Sequence, residues 1–354
     1  MKFPLISRLL VLLCLATSLQ AQQMSMQIRA EVTRLQQEAQ AKPDSDSKTG
    51  LLRTLKRAEL ASTAHRDYLA LEELATAHIM AQVLRDEELK LDPATGMKQF
   101  ESEYQRVMPE MLDADKRARS RTWNNVPEAI RAIAEISQSK TLVLMEATRP
   151  YAMATGAESG IVYIGQARAT VRTSDFAASL KVSTPAKPKL RSILPELQSL
   201  QTRVNAAFKP PKSIARHSDF IRLNASLKMA FELDAARLYA GAMYRYLEAL
   251  RLVEMMDASF KQEDVTLFAE KSRNKLRSSK RDNSLAELFL QKADAFQQGR
   301  DGSPPSADDL MNAIVIHQKV LPAYFAVQES EPARIATHEK PKTITVTLVR
   351  WPYT

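Results

Sequence analysis

The side chains with which this chain could do acid–base or metal chemistry are few and scattered. Its five histidines are His65, His78, His217, His317 and His338. No two of them lie three to five residues apart, the spacing that brings imidazoles together around a metal. Neither His-Glu-x-x-His nor the Glu-x-x-His pair of di-metal helical bundles occurs. His78 lies near Glu72 and Glu73 in sequence and flanks an apolar stripe, which reads as a core-edge histidine rather than a ligand. Met24 and Met26 form a Met-x-Met whose thioethers would suit Cu(I). At the start of a mature chain they read as part of a frayed end, and the other methionines as core filler. No cofactor is implied.

Gly-Ala-Glu-Ser-Gly (156–160) has the outline of a nucleophile turn, but Ser159 stands fourth where the nucleophile elbow places serine third. No Gly-Lys-Ser/Thr follows, so these glycines make no phosphate loop. They read as flexibility or close helix approach. The pairs Glu72-Glu73, Glu87-Glu88 and Asp308-Asp309 are adjacent in sequence, so on a helix they diverge by about 100° and form no catalytic pair. Asp308 and Asp309 suit a helix N-terminus. Asp234 interrupts an apolar region beside Leu233 and Leu238, and a buried ion pair, with Arg237 as local partner, is expected there.

The elements that must position these residues are helices. Only eight glycines occur, and Ala, Leu, Glu, Lys, Arg, Gln and Met dominate. After a first helix at 24–41 and a polar loop at 42–50, residues 51–91 read as one helix. Leu60, Ala64, Tyr68, Leu71, Ala75, Ile79 and Val83 share its face. Helices are expected over 97–121 and from 125, with Pro127 in the first turn. Residues 155–171 read as helix, a short strand at 161–164 being the alternative. Ile193, Leu197, Leu200, Val204 and Phe208 mark another helix, with Pro195 in its first turn. Leu227, Phe231, Ala235, Leu238, Ala242, Tyr246, Ala249, Val253 and Met256 keep helical phase, and an unbroken helix over 213–260 would span roughly 72 Å, with Gly241 as its break point. A helix follows at 284–298. Ser306 with Asp309 predicts a capping box, and Pro322 a kink or end.

Thr343 onward breaks the pattern. Ile344, Val346 and Leu348 alternate with threonines, and Trp351 and Tyr353 follow, so the tail predicts one short β-strand and an interaction element. The fold class expected is all-α: antiparallel helical hairpins in a bundle, or an irregular α-solenoid, closed by that strand. Thr184-Pro-Ala-Lys-Pro-Lys189 is the best boundary, dividing an N-terminal helical region (22–183) from a C-terminal one (190–330), with an extended tail at 331–354.

Residues 1–21 have the parts of a secretory signal. Lys2 and Arg8 are followed by a short apolar core and Ala21, with cleavage after Ser18 as the runner-up. The only cysteine, Cys14, would leave with it, so no disulfide is expected. No later apolar run is expected to reach the roughly 20 residues of a membrane span. An exported protein, periplasmic or extracellular, is expected. Its formal charge of +9 drops by two with the leader. Outside the cytosol the matching anions are envelope components or acidic proteins rather than nucleic acid. Six basic residues (Lys271, Arg273, Lys275, Arg277, Lys280 and Arg281) crowd 271–281 without an acid, a candidate anionic-surface contact that competes with a solvated helix face. The function expected is an exported helical scaffold or binding protein of a bacterial-type cell envelope, its partner a protein or an anionic envelope component. An enzyme whose site assembles only in the fold, or a periplasmic holdase-like chaperone, are the alternatives.

Overall fold

A computed structural model of the chain describes residues 4–330, apart from 90, 93, 183, 185–187, 210, 211, 257–264 and 280. For 4–21, 212, 213 and 265 it describes the backbone alone. The first helix, α1 (Pro4–Gln40), continues without a break through the expected cleavage sites. Met24, Ile28, Val32, Leu35 and Ala39 recur on one face of it and are buried against α2 (Asp46–Thr63) and α3 (Asp67–Asp86). Ser45 caps α2 by accepting the Lys48 N–H at 3.1 Å.

The single helix expected over 51–91 is two. The chain turns at His65, whose φ is 57°. The Arg66 N–H reaches back to Ala61 O at 2.8 Å and the His65 N–H to Ser62 O at 3.1 Å. This paired closure is the Schellman motif, here with histidine in the position glycine usually fills. The two helices pack on each other as a hairpin, and of the expected repeat only Leu71 is buried; the buried positions include Leu55, Ala58 and Ala61 of α2 and Ala70, Leu74, Ala77 and Ala81 of α3.

The same device divides 213–260. In place of one long rod the chain forms α8 (Lys212–Ala215), α9 (His217–Ala235) and α10 (Tyr239–Met256). Arg237 takes φ 61°, the Leu238 N–H bonds Leu233 O at 2.9 Å and the Arg237 N–H bonds Asp234 O at 3.0 Å. The break falls at 236–238, ahead of Gly241, and folds α10 back along α9.

A longer hairpin lies between these two. Helix α4 (Gly96–Arg119) lies against α5 (Glu128–Thr155) and α6 (Ala157–Ser179), which are joined through Gly156 at φ 107°. Residues 157–179 are thus helix, and the strand alternative for 161–164 is excluded. Gly160 reads correctly as a close approach: a Cβ there would lie 2.8 Å from Ala152 Cβ and nearer still to the Phe100 ring. Beyond α7 (Leu194–Ala207), α11 (Val265–Ser278) leads to α12 (Ser284–Gln298), which is buried almost all round and packs on α3, α5 and α13 (Ala307–Val315).

Ser306 and Asp309 form the expected capping box at the start of α13. Pro322 has no N–H to give to Gln318, and the helix absorbs this with a π turn over Ile316–Val320, in which the Leu321 N–H bonds Ile316 O; α14 (Leu321–Glu329) then continues. Residues 307–329 are long and apolar enough by length and composition to cross a membrane, contrary to the expectation that no later run reaches that length. In the bundle 56% of that window is buried.

The architecture is an all-helical bundle of hairpins, and among the described residues no strand occurs. Side chains from both sides of 184–189 share one apolar cluster, running from Met24 to Val327. A smaller cluster joins α4 to the far halves of α5 and α6. The strand expected in the tail lies outside the described residues.

Candidate functional site

Helices α3, α5 and α10 converge around a cavity of about 290 Å³. Its walls follow from helical spacing. On α3, Glu72, Ala75, Thr76, Ile79 and Met80 fall three or four residues apart on one face; on α5, Ile133, Ile136, Ser137 and Lys140 do the same. Tyr244 and Arg245 of α10 and Thr170 of α6 complete the lining. The lining combines the apolar Ile79, Met80, Ile133 and Ile136 with two cations, Lys140 and Arg245, and one acid, Glu72.

The cations differ in their partners. Among the described residues, half-buried Lys140 makes no direct hydrogen bond or ion pair. Burial, with Arg245 nearby, brings its ammonium down to about 8, against the opposing pull of Glu72. Arg245 lays its guanidinium 5.6 Å from the Tyr244 ring centre, and its buried Nε has no hydrogen-bond partner. Buried Glu72 Oε2 is likewise unpartnered.

Behind this wall the charges are fully engaged. Tyr244 donates its hydroxyl proton to Glu72 Oε1 at 2.6 Å, and Lys292 of α12 donates to the same carboxylate at 2.9 Å and to the Tyr244 oxygen at 3.1 Å. Lys292 also pairs with Glu248, whose other oxygen receives Arg251 at 3.0 Å; Arg251 extends to Asn312. Burial alone would raise the Glu248 carboxyl, but Arg251 and Lys292 override it and hold it far below the ordinary range. Burial likewise disfavours the Lys292 charge, and Glu248 and Glu72 restore it. Burial, reinforced by Glu72, keeps Tyr244 un-ionised. The chain of charges fixes α3, α10, α12 and α13 to one another, so Arg245 of α10 stands on a braced frame, and Lys140 faces it from α5.

A second cavity, of about 310 Å³, opens where the α2–α3 turn meets the α12–α13 loop. Of its arginines, Arg57 pairs with Asp301 and Arg300 with Glu73 at 2.8 Å. Arg66 has buried Nε and Nη1 atoms with no hydrogen-bond partner.

The residues singled out from sequence fall elsewhere. Asp234 is buried, but in place of the expected pair with Arg237 it accepts from Ser192 Oγ at 2.7 Å and from the Ile193 N–H at 2.8 Å, so it holds the entry to α7. His78 is buried between Thr173 Oγ1 (2.9 Å) and Glu31 (3.0 Å). Burial draws the ring towards neutrality, and since the Glu31 carboxylate can only accept, Nε2 is the nitrogen that carries the proton. Among the described residues no group of histidines, cysteines or acids could hold a metal. Ser159 sits inside the first turns of α6. In the basic run, Arg273 pairs with Asp294 at 2.6 Å, Lys275 with Glu329 at 2.7 Å, and Arg281 donates to Gln328 O. Lys271 and Arg277 are exposed. Lys280 and the tail residues Ile344, Val346, Leu348, Trp351 and Tyr353 lie outside the described residues.

Sequence reasoning missed Lys140 and Arg245. The available signal was the one that drew notice to Asp234, a charge within an apolar stripe: Lys140 continues the Ile133–Ile136 face, and Arg245 sits between two buried tyrosines. No protein-family model matches the chain, and comparison with curated proteins and with solved structures gives no significant match.

Proposed function

We propose that the protein is an exported helical binding protein of a bacterial-type cell envelope that holds a small ligand between α3, α5 and α10. The observation that carries this reading is a preformed cavity lined by apolar side chains and by two cations that have no hydrogen-bond or ion-pair partner among the described residues, with α3, α10 and α12 braced by buried ion pairs. Export rests on the Lys2/Arg8, apolar-core and Ala21 pattern of residues 1–21. The tail from Thr343 and the exposed Lys271 and Arg277 are assigned contacts with a protein or an anionic envelope component. Crosslinking in the native envelope, with and without 343–354, tests the tail: identical partner sets remove its role.

The binding reading is tested by methyl NMR of Ile79, Met80, Ile133 and Ile136 during titration with a panel of small acids, alcohols and amines. A subset of the panel should shift these four together. If no compound moves them, the cavity is not a ligand site. A second reading, an enzyme, is favoured by one feature: an amine whose proton is held more loosely than usual, beside a second cation, is the setting of a nucleophilic lysine.

A further inference from the structure

Within the binding reading, and resting on it, the ligand class follows from the cavity's chemistry. We infer that the α3–α5–α10 cavity binds a small monocarboxylate with an apolar chain, its carboxylate bridging Lys140 and Arg245 and its chain lying against Ile79, Met80, Ile133 and Ile136. Three observations converge. Lys140 has no direct partner among the described residues, and the Arg245 Nε is buried and unpaired, so both keep donors for an incoming oxygen. A planar carboxylate takes two parallel N–H donors from one guanidinium edge, while an ammonium contributes a point charge. Ile79, Met80, Ile133 and Ile136 give the remaining wall an apolar stretch that rewards an aliphatic chain, with the hydroxyls of Thr76, Ser137 and Thr170 beside it.

The acid already in the wall limits the charge accepted. Glu72 is held on Oε1 by Tyr244 and Lys292, but its Oε2 stays buried and unpaired beside the cavity. A dianion would place a second negative charge against it. A single carboxylate seated between Lys140 and Arg245 meets both cations and brings no second negative charge against Glu72.

Binding must be linked to a proton. The charged and titratable groups facing Lys140 are Glu72 from α3 and Tyr244 and Arg245 from α10; α6 presents only Thr170. Of these, Lys140 is the group that changes charge near neutrality, at about 8 in the free protein. A bound carboxylate favours its ammonium form. Affinity should therefore be highest below about 8 and fall as pH rises through it, and near that pH the complex should take up protons.

The test is calorimetric titration of the whole mature chain with hexanoate and with hexanol, in two buffers of different ionisation enthalpy, on either side of that pH. Hexanoate should bind more tightly than hexanol, lose affinity on the alkaline side, and show buffer-dependent heat corresponding to proton uptake. Lys140→Gln should weaken hexanoate roughly ten- to a hundredfold and abolish the proton uptake. Arg245→Gln should weaken it while leaving the uptake, which keeps the test valid if one variant folds poorly. If hexanol binds as tightly as hexanoate, or binding is indifferent to pH across that range, the carboxylate inference fails and the binding reading stands. If neither compound binds, the carboxylate inference fails, and if no member of the wider panel moves the four wall residues either, the binding reading fails with it.

Discussion

Buried residues that titrate away from their ordinary range set opposite pH limits on this bundle. Glu128 is fully buried, with Oε2 accepting from Tyr324 at 2.8 Å and Oε1 unpartnered. Burial raises its carboxyl from 4.5 to about 8, so the folded chain holds a proton that the unfolded chain releases. The stability this proton gives is complete below 4.5 and is lost as pH rises through about 8. His317 works in the other direction. Both ring nitrogens are buried without partners, and burial, with Arg273 nearby, lowers the imidazole from 6.5 to about 4. Its neutral form favours folding above 6.5, and the benefit is lost as pH falls through about 4. The upper limits are about 5 kcal/mol for Glu128 and about 3 kcal/mol for His317. Glu128→Gln, which keeps an acceptor for Tyr324, should remove the alkaline decline, and His317→Leu the acid one. Urea melts of each variant against the wild type across pH provide the check; profiles parallel to wild type would show that neither group governs stability. Neither residue was legible beforehand, because a lone charge in sequence does not reveal whether a partner will reach it in the fold.

The helices themselves were largely legible, and the joints between them less so. Where breaks carry the usual chemistry, as at Pro127, Pro195 and the Ser306–Asp309 capping box, sequence located them. The two missed breaks close with His65 and Arg237 in left-handed conformations, and in sequence alone apolar residues recur at helical spacing across both. Three helix starts are served by acids from elsewhere in the chain, which no local pattern shows. Asp234 receives the Ile193 N–H ahead of α7, Glu135 receives the Gly241 N–H at 2.8 Å in α10, and Asp282 receives the Glu128 N–H at 2.7 Å in α5. Such acids answer the unpaired N–H groups of a helix start while fixing two elements to each other. The joints give a direct prediction. His65 and Arg237 are exposed, and each bears the side-chain cost of a left-handed φ that glycine avoids. Set against the extra freedom of an unfolded glycine, His65→Gly and Arg237→Gly should each stabilise by roughly 0.5–1 kcal/mol. A lowered urea midpoint in either variant would mean that the side chain does something at the joint beyond closing it.

The bundle as a whole has two apolar centres of unequal size. The larger draws on α1, α2, α3, α7, α9, α10, α12, α13, α14, the near half of α5 and Ala177 at the end of α6. The smaller joins Phe100, Val107 and Met111 of α4 to Met145 and Ala152 of α5 and to Ile164 and Ala167 of α6. Helices α5 and α6 therefore belong to both, and the Thr141–Thr170 hydrogen bond at 2.7 Å lies between them, next to Lys140. A unit with few buried apolar side chains opens at lower free energy than the core it adjoins. Helix α4 and the far ends of α5 and α6 should accordingly exchange their amide hydrogens together and faster than α10 and α12. Phe100 is almost fully buried against Gly160, so Phe100→Ala removes the largest side chain of the small centre, at a cost of about 3–5 kcal/mol. Hydrogen exchange should then accelerate through 96–119 and the adjoining ends of α5 and α6, with α10 and α12 unchanged. Equal acceleration in α10 and α12 would show that the two centres unfold as one. Retained hexanoate affinity in Phe100→Ala would place the cavity on the stable side of the divide, where Ile133, Tyr244 and the Lys292 network hold it.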